Sequence, residues 1–457
     1  MKNDIPEQLE KRIDEIGQMV SEEIKGLYQM IVSEGRTLDD IEEGMREILA
    51  ETGLTGMKVL VGKLDRERRK GKQNCPGCGA AQYWKHYVER QCISTLGEFM
   101  IERAYYYCSG CGRGWCPLDE QLGLGRSELS LRAQELSSYL GAFMPFQRAA
   151  DFLARSGLLA ISHDTVNRMT VSAGQELAAR QRAEQEAIWA GEKPYPGYEG
   201  EQVPEVVYLS GDGVRYLSTE GQGRELKVAA IYQTELRNNR QGEPVPHAVQ
   251  IDYLVSHQDP ETFAHQVDVS AHRRGLPQAK TSVVLQDGAA WLWLHLAPLA
   301  GKDRVEIIDF YHAAGYVTDA LDTLLADKSE RAFWTEILLT CLKAGKPGLI
   351  SEALSTFLAP AGSLSQAVQD ACDYLTNQAH RMHYADYLDA RLQIGSGTIE
   401  SGVKQVASDR LKQAGMRWNP DHAAAVAQVR AAILSCHPRW DHFWDSALPA
   451  QFQLEAA

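Results

Sequence analysis

Apolar residues in the first seventy positions of the chain recur at intervals of three and four, which is the period of an amphipathic helix. One such run extends from Pro6 to Gly35, and a second extends from Thr37 to Gly53 behind a threonine that suits a helix N-cap. These patterns predict a helical N-terminal region over residues 1–73. Its simplest role is that of a packing or dimerisation arm.

The pattern changes at residue 74, where aromatic and β-branched residues form two runs on either side of the segment TLGEF. Such runs around a short glycine-containing turn predict a β-hairpin. Two C-x-x-C pairs bracket the hairpin, and four thiolates complete a tetrahedral zinc site. We therefore predict a structural zinc ribbon over residues 74–120, with the ligands Cys75, Cys78, Cys108 and Cys111.

Six of the nine cysteines fall between residues 75 and 116. In a reducing compartment, a cluster of this kind binds metal more often than it forms disulfides. The two pairs are separated by 29 residues (79–107), which exceeds the commonest zinc spacing and which two long strands would fill. Cys92 and Cys116 lie in the same stretch and leave open which four thiolates bind the metal.

The helical period returns over residues 125–192. The segment AADFLARSG ends a short helix, LLAIS makes a tight connection, and Ser162 is a good N-cap for the next helix. This spacing predicts a helix-turn-helix whose second helix presents His163, Asn167 and Arg168 to DNA. A linker rich in proline and glycine follows over residues 193–204.

From Val206 onward, short apolar runs alternate with helical patterns in the order β-β-β-α-β-α-β. The first three strands have no helix between them and should pair antiparallel, whereas strands that are joined through helices should be parallel. The segment AAWLWLHLAPLAG is predicted as one of these helices, and helices dominate again from about residue 313 to 392. We predict an α/β domain over residues 205–457 with an all-helical insertion.

Two aspartates end apolar runs of this predicted sheet, Asp212 in LSGDG and Asp287 in VLQDG. If the first and fourth strands are neighbours, both side chains lie at one edge of the sheet. Convergent carboxylates, with Glu400 as a third, suit a pair of Mg²⁺ ions that bind a phosphate. The alternative for each aspartate is that it caps the helix that follows.

Two further residues follow the next predicted strand, Asp309 and His312 in the segment DFYH. They would line the same pocket as the predicted Mg²⁺ ligands. The alternative is that Asp309 is a helix cap and His312 is a buried histidine. The histidine-containing group at 380–386 is interpreted as surface or packing, because one helix supplies too few inward ligands for a metal. The two tryptophans of AAWLWL are interpreted as core residues.

A row of basic residues follows Glu400, namely Lys404, Arg410, Lys412 and Arg417. Lysine and arginine side chains in such a row are candidate contacts to DNA phosphates. The alternative is an ordinary surface face of ion pairs. The sequence leaves these two interpretations open.

Charge and hydropathy limit the class of protein. The 457 residues carry a net charge of −14, which argues mildly against a nucleic acid partner. The charge is uneven, because residues 1–52 hold 14 acids and 6 bases whereas residues 58–72 hold 2 acids and 7 bases. No apolar run of about 18 residues exists, so no membrane span is expected. The N-terminus lacks the apolar segment of a secretory signal, and we expect a cytoplasmic protein.

Longer motifs connect these residues to a known family. They are ERAYYYCSGCGRGWCPLDEQLGL, MPFQRAADFL, GDG, DGAAWLW, DFYHA, and GSGTIES followed by RLKQAGMRW, spread over about residues 75–420. In these motifs the chain resembles bacterial insertion-sequence transposases of the ISKra type, which are DDE enzymes. The resemblance implies an RNase H-like catalytic core with an all-helical insertion, preceded by helical, zinc-ribbon and helix-turn-helix modules.

The resemblance also implies an activity. It assigns Asp212, Asp287 and Glu400 to a catalytic triad that holds two Mg²⁺ ions, with Mn²⁺ as a substitute. The protein would be nucleoid-associated. It would bind double-stranded DNA at the terminal inverted repeats of its element, cleave the DNA there and join the cleaved ends to target DNA. We expect a homodimer or larger assembly, since two element ends must be brought together. Two alternatives stay open, a catalytically silent DNA-binding regulator and a two-metal nuclease without strand transfer.

Overall fold

The helices and strands of the protein follow the changes of hydrophobic period along the chain. The structure is a computed structural model, and it describes residues 7–68, 72–125, 127–358 and 364–446. The chain forms two units, one from residues 1–170 with 441–457 and the other from residues 171–440. Within the described residues, the protein is a mixed α/β protein with one five-stranded sheet and two small sheets.

Two long helices open the first unit, α1 (Glu7–Glu34) and α2 (Leu38–Arg68). Thr37 caps α2 as predicted, because its hydroxyl accepts a hydrogen bond from the Asp40 amide at 3.3 Å. The Asp40 carboxylate accepts one in return from the Thr37 amide at 2.9 Å. No side chain of α1 is fully buried, whereas α2 buries Ile48. Packing therefore holds α2 more firmly than α1.

The cysteine-rich segment folds around a long antiparallel hairpin. Its elements are β1 (Gln73–Asn74), β2 (Ala81–Gln82), β3 (Trp84–Ser94), β4 (Gly97–Tyr107), β5 (Gly114–Trp115) and α3 (Pro117–Gln121). Strands β3 and β4 pair along their whole length, from Ser94 opposite Gly97 at the turn to Trp84 opposite Tyr106 at the open end. The predicted hairpin is therefore confirmed.

Three helices complete the first unit, α4 (Leu131–Phe143), α5 (Phe146–Arg155) and α6 (His163–Trp189), the last of which continues into the second unit. The predicted cap of α6 is confirmed, because the Ser162 hydroxyl accepts a hydrogen bond from the Thr165 amide at 3.2 Å. The helices pack around a shared apolar cluster. Its buried members are Leu129, Ala133, Ala149, Ala150, Leu153, Leu159 and Val166.

A five-stranded sheet forms the centre of the second unit. Its strands are β6 (Val206–Leu217), β7 (Gly223–Asn238), β8 (Pro244–Ser256), β9 (Thr281–Gln286) and β10 (Val305–Ile308). They lie in the order β10-β9-β6-β7-β8; β7 is antiparallel to β6 and β8, while β9 is parallel to β6 and β10. The predicted pairing of antiparallel early strands and parallel later strands is confirmed.

Helices connect and follow these strands. They are α7 (Pro260–Arg273), α8 (Phe310–Leu324), α9 (Lys328–Lys343), α10 (Pro347–Glu352), α11 (Gln366–Asn377), α12 (Tyr384–Asp389), α13 (Gly397–Val403), α14 (Asp409–Leu411) and α15 (Pro420–Leu434), all in the second unit, and α16 (Arg439–Asp445), most of which belongs to the first unit. Val207 and Leu209 of β6 pack in a cluster with Phe263 of α7. The residue between them, Tyr208, faces the opposite side of the sheet, where its hydroxyl accepts a hydrogen bond from the Gln393 amide.

Among the described residues, no helix is both long and apolar enough to cross a membrane.

The segment AAWLWLHLAPLAG is not the regular α-helix that its pattern predicts. It forms a π-helical turn at Leu292–Leu296 and a 3₁₀ turn at Ala297–Ala300. Pro298 has no amide hydrogen and cannot continue an α-helical ladder. The segment therefore changes its hydrogen-bond period where the proline enters.

Close packing of α6 against α15 depends on a glycine. A Cβ atom on Gly174 would collide with the backbone carbonyl of Ala425 in α15. We expect Gly174→Ala to lower the free energy of unfolding by about 1–3 kcal/mol, because the backbone of α15 has to move. Gly315→Ala in α8 is the control, since no atom lies near the added methyl group, and it should raise stability by up to about 1 kcal/mol. Urea denaturation measures both, and equal midpoints for the two variants would contradict this account.

Candidate metal and active sites

Four cysteines converge where the two C-x-x-C pairs meet. Their sulfur atoms all lie within 4.8 Å of one another. The Sγ atoms of Cys75 and Cys111 are 3.5 Å apart, and so are those of Cys78 and Cys108. Separations in this range match the edges of a sulfur tetrahedron built on zinc–sulfur bonds of about 2.3 Å. The group could therefore hold a structural metal such as zinc.

The two C-x-x-C-G segments reach this geometry through the same backbone turn. The Gly79 amide donates to the Cys75 carbonyl, and the Gly112 amide donates to the Cys108 carbonyl, each at 2.8 Å. Both glycines have positive φ angles, 74° and 71°, which side-chain-bearing residues rarely adopt. The Cys111 amide donates to the Cys108 sulfur and lowers the pKa of that thiol to about 6. At Cys108 the backbone thus favours the thiolate form that a metal binds, whereas the hydrogen bond with Cys75 and burial raise the pKa of Cys111 to about 12.

Cys92 and Cys116 lie outside this group. The structure brings together the ligand atoms of Cys75, Cys78, Cys108 and Cys111 within 4.8 Å. In the described part of the chain, no other group of three or more histidine, cysteine, aspartate or glutamate residues is this compact. Cys92 is 4% exposed and packs in an apolar cluster with Phe99 and Ile101, where burial raises the pKa of its thiol. The geometry therefore selects the four cysteines of the two pairs.

Three aspartates come after the paired parts of three parallel strands, at their carboxyl side, and the strand register continued to them brings them level with one another. β6 pairs with β9 at a constant offset of 75 residues, which is also the separation of Asp212 and Asp287. β9 pairs with β10 at an offset of 22 residues, which is the separation of Asp287 and Asp309. Level residues on neighbouring strands share one face of the sheet, about 4.8 Å apart from strand to strand. The first and fourth strands are therefore neighbours, as the convergence of the acids required.

Asp212 does not end its strand, and this detail of the prediction is wrong. β6 continues to Leu217, and Asp212 lies within it, opposite Val228 of β7. β9 already ends at Gln286, so the last part of β6 has β7 as its sheet neighbour. The long β6–β7 hairpin carries the strand past the edge of the parallel part and leaves Asp212 beside that edge.

The carboxylates of Asp212, Asp287 and Glu400 form a cluster of negative charge. Burial first, and then the charges of Asp287 and Glu400, raise the pKa of Asp212 to about 6. The three groups accept hydrogen bonds from two backbone amides and one serine hydroxyl. Within the described residues, none of them forms an ion pair with lysine or arginine, and their oxygens do not all lie within 4.8 Å. The cluster is therefore more open than the cysteine site.

Asp309 connects the sheet to the segment that carries Glu400. It is 1% exposed, and its carboxylate accepts hydrogen bonds from the amides of His312 and Ser396. The Ser396 hydroxyl donates in turn to Glu400 at 2.7 Å. Asp309 is thus a helix cap for α8 and is also linked to Glu400 through one residue. His312 is exposed, so the alternative of a buried histidine is wrong.

The basic residues after Glu400 do not share one surface. Lys404, Lys412 and Arg417 are exposed, but Arg410 is 1% exposed and its guanidinium lies 4.8 Å from the ring centroid of Trp418. Burial lowers the pKa of Arg410 to about 10. The prediction that Arg410 contacts a DNA phosphate is therefore wrong, because a buried guanidinium cannot reach DNA. The residues at 404–408 form a π-helical turn, which rotates the following residues relative to a regular helix.

The predicted DNA-reading residues lie in the first two turns of α6. His163 and Arg168 are exposed, whereas Asn167 is partly buried. The Asn167 Oδ1 atom is buried, and among the described residues it has no hydrogen-bond partner. The structure thus presents His163 and Arg168 to solvent more openly than Asn167.

Three residues beside the acids were not predicted as site residues from the sequence, and one of them, Trp293, was interpreted as a core residue. The indole N–H of Trp293 donates to the Asp287 carbonyl at 2.7 Å, and Ser396 orients Glu400. The ring of Tyr374 lies against Gly288, and its hydroxyl is buried. Trp293 and Ser396 each lie a few residues from an acid, which is the one signal that pointed to them. Tyr374 belongs to α11 and gave no local signal.

No protein-family model matches the chain, and no curated protein is significantly similar to it. The function must therefore be inferred from the residues themselves. Two features are available for this, the four-thiolate site of the first unit and the carboxylate cluster of the second unit.

Zinc binding should depend on the four clustered cysteines. We expect Cys108→Ser to abolish the binding of about one zinc ion per chain and to lower the melting temperature, because the two turns lose their common ligand. Cys92→Ala removes a thiol from the same segment and should retain the zinc. Elemental analysis of the purified variants measures the metal. Zinc that persists in Cys108→Ser or disappears in Cys92→Ala would contradict the assignment.

Asp212→Asn should stabilise the protein at pH 8 without added divalent ions. Because folding raises the pKa of Asp212 to about 6, the charged carboxylate opposes folding above that pH, and the cost fades as the pH falls toward 4. We expect a gain in the free energy of unfolding of about 1–2 kcal/mol at pH 8, allowing for partial exposure, and a much smaller gain at pH 4.5. Urea titrations at the two pH values measure it. A gain that is independent of pH would show that charge is not its cause.

Proposed function

We propose that this protein is a DNA transposase of an insertion sequence and that its second unit is an RNase H-like DDE domain. The observation that carries the proposal is the convergence of three acids beside the parallel strands β6 and β9, where Asp287 and Glu400 are close enough to raise the pKa of Asp212. The strand order supports it, since three antiparallel strands extended by two parallel strands are the arrangement of an RNase H-like sheet.

The carboxylate cluster fits divalent cations. Asp212 is half-buried beside two other acids. Burial and then the repulsion by these acids raise its pKa, and a cation would stabilise the charged carboxylate against both. Asp212, Asp287 and Glu400 are the residues that would hold Mg²⁺, an ion that accepts a few carboxylates and retains water molecules. When bound, such ions polarise phosphate oxygens and lower the pKa of water. The open spacing of the three acids is compatible with a pair of ions.

The residues of the chain fix the geometry of this cluster. Strand pairing sets the positions of Asp212 and Asp287, and Ser396 orients the carboxylate of Glu400. In the proposed reaction, water and then a DNA 3′-hydroxyl attack phosphodiester bonds. The acids therefore organise charge around the reacting groups and form no covalent bond to DNA.

Exposed basic residues support DNA as the substrate. Lys404, Lys412 and Arg417 follow Glu400 and reach solvent, as phosphate contacts must. In the first unit, α5 and α6 have helix-turn-helix spacing, with His163 and Arg168 exposed at the start of α6. We propose that this helix binds the terminal repeats of the element, that the four-cysteine hairpin is a zinc ribbon, and that two or more copies bring the DNA ends together.

Asp287→Asn should separate DNA binding from chemistry. The substrate is a duplex that carries the inverted repeats flanking the gene. We expect its dissociation constant to change by less than about twofold, since an amide of equal size preserves the fold, while Mg²⁺-dependent cleavage falls by at least about a hundredfold. Electrophoretic mobility shifts and denaturing gels measure the two quantities. Asp303→Asn, at an exposed aspartate before β10, is the matched control and should cleave like the wild type.

The products distinguish the proposal from its alternatives. Joining of cleaved ends to a target duplex supports a transposase, and cleavage without joining supports a nuclease. Binding without cleavage by the wild-type protein supports a DNA-binding regulator. Undiminished cleavage by Asp287→Asn would show that the active-site assignment is wrong.

A further inference from the structure

A tryptophan holds the backbone of Asp287. The indole Nε1 of Trp293 donates a hydrogen bond to the Asp287 carbonyl oxygen at 2.7 Å. Trp293 belongs to the π-helical turn Leu292–Leu296, and π turns inside helical segments are rare and are frequent at functional sites. The bond fixes the chain directly after β9, and with it the direction in which the Asp287 carboxylate points.

An arginine of the helical insertion holds that tryptophan. The guanidinium carbon of Arg381 lies 3.6 Å from the ring centroid of Trp293, which is a stacking distance. Its Nε atom donates to Glu306 at 2.6 Å, and its Nη1 atom donates to Gln378 at 2.7 Å. The Arg381 side chain is 15% exposed, so solvent competes little for these contacts. Arg381 thus connects the strand end at Asp287 with β10.

The same part of the insertion also contacts β10 directly. The Tyr384 hydroxyl donates to the Ile308 carbonyl at 3.0 Å, and the Tyr387 hydroxyl donates to the Glu306 carbonyl at 2.9 Å. Ile308 immediately precedes Asp309. The insertion therefore contacts β10, which precedes Asp309, directly, and it reaches the Asp287 backbone through Trp293.

We propose that Arg381 is a positioning residue for metal binding by Asp287 and that it acts through Trp293. Without the guanidinium, the indole and the Asp287 carbonyl lose a fixed neighbour. A carboxylate displaced by even about 1 Å binds a cation less well, because metal–oxygen distances are short and the geometry is demanding. The inference rests on the proposed function, since it requires Asp287 to be a metal ligand. It assigns to the helical insertion a role in metal affinity.

Mn²⁺ binding to the full-length, zinc-loaded protein without DNA tests this role apart from catalysis. The signal of free Mn²⁺ in electron paramagnetic resonance gives the dissociation constant. We expect Arg381→Ala to raise that constant about tenfold, the lower end of the effect of losing an outer-shell partner. Trp293→Phe keeps an aromatic ring under the guanidinium and removes the N–H, and it should weaken Mn²⁺ binding about as much.

Three further variants separate positioning from stability. Arg331→Ala removes another arginine of the insertion, which pairs with Asp322 at 2.7 Å, and should leave the Mn²⁺ constant within about twofold of the wild type. Arg381→Lys keeps a charge for Glu306 but loses the planar stack on Trp293. Its melting temperature should therefore exceed that of Arg381→Ala, while its Mn²⁺ binding should stay as weak. In the double variant of Arg381→Ala and Trp293→Phe, the loss should equal that of either single variant, because both act through one bond.

The outcomes that overturn the inference are distinct from those that overturn the proposed function. Unchanged Mn²⁺ affinity in Arg381→Ala, or additive losses in the double variant, would leave Arg381 with a structural role. Mn²⁺ binding that is lost in Asp287→Asn but kept in Arg381→Ala overturns the positioning role alone. If the wild type binds no Mn²⁺, or if Asp287→Asn binds it equally well, the metal site fails and the positioning role fails with it.

Discussion

The register of the parallel strands β6, β9 and β10 is the constraint on which the candidate site depends. Continued past the last paired residues, it brings Asp212, Asp287 and Asp309 level on one face of the sheet. A slip of one residue would turn Asp287 toward the opposite face, where α7 and its apolar cluster lie and a carboxylate would be buried without a partner. The alternating apolar residues of the strands therefore hold the register and, through it, the acids.

Polar contacts around this frame then set the direction of each acid. Trp293 holds the backbone of Asp287, and Ser396 links Glu400 to the buried Asp309. π-helical turns follow both Asp287 and Glu400, and the carbonyls of the second turn accept hydrogen bonds from the buried Arg430. Irregular turns and crowded like charges cost stability, and proteins retain them where a site needs them. The packed sheet and its helices offset that cost.

Local signals in the sequence predicted much of this protein correctly. The cysteine spacing, the β3–β4 hairpin, the Ser162 cap and the strand pairing each depend on residues within one element or between successive elements. Predictions failed where a distant segment alters a local pattern. Asp212 lies inside β6 because the β6–β7 hairpin extends beyond β9. Arg410, which follows a π-helical turn, is buried with its guanidinium over the ring of Trp418.

The sequence by itself determined which residue types are available and the period of each element, because hydrophobic periodicity, caps and C-x-x-C spacing act over a few residues. The tertiary structure alone decided which acids lie level, which bases reach solvent, and that Arg381 and Tyr374 of the insertion approach Asp287. Strand register and stacking between remote segments depend on how whole layers pack. The spacing of residues within one segment does not reveal which remote segment will pack against it.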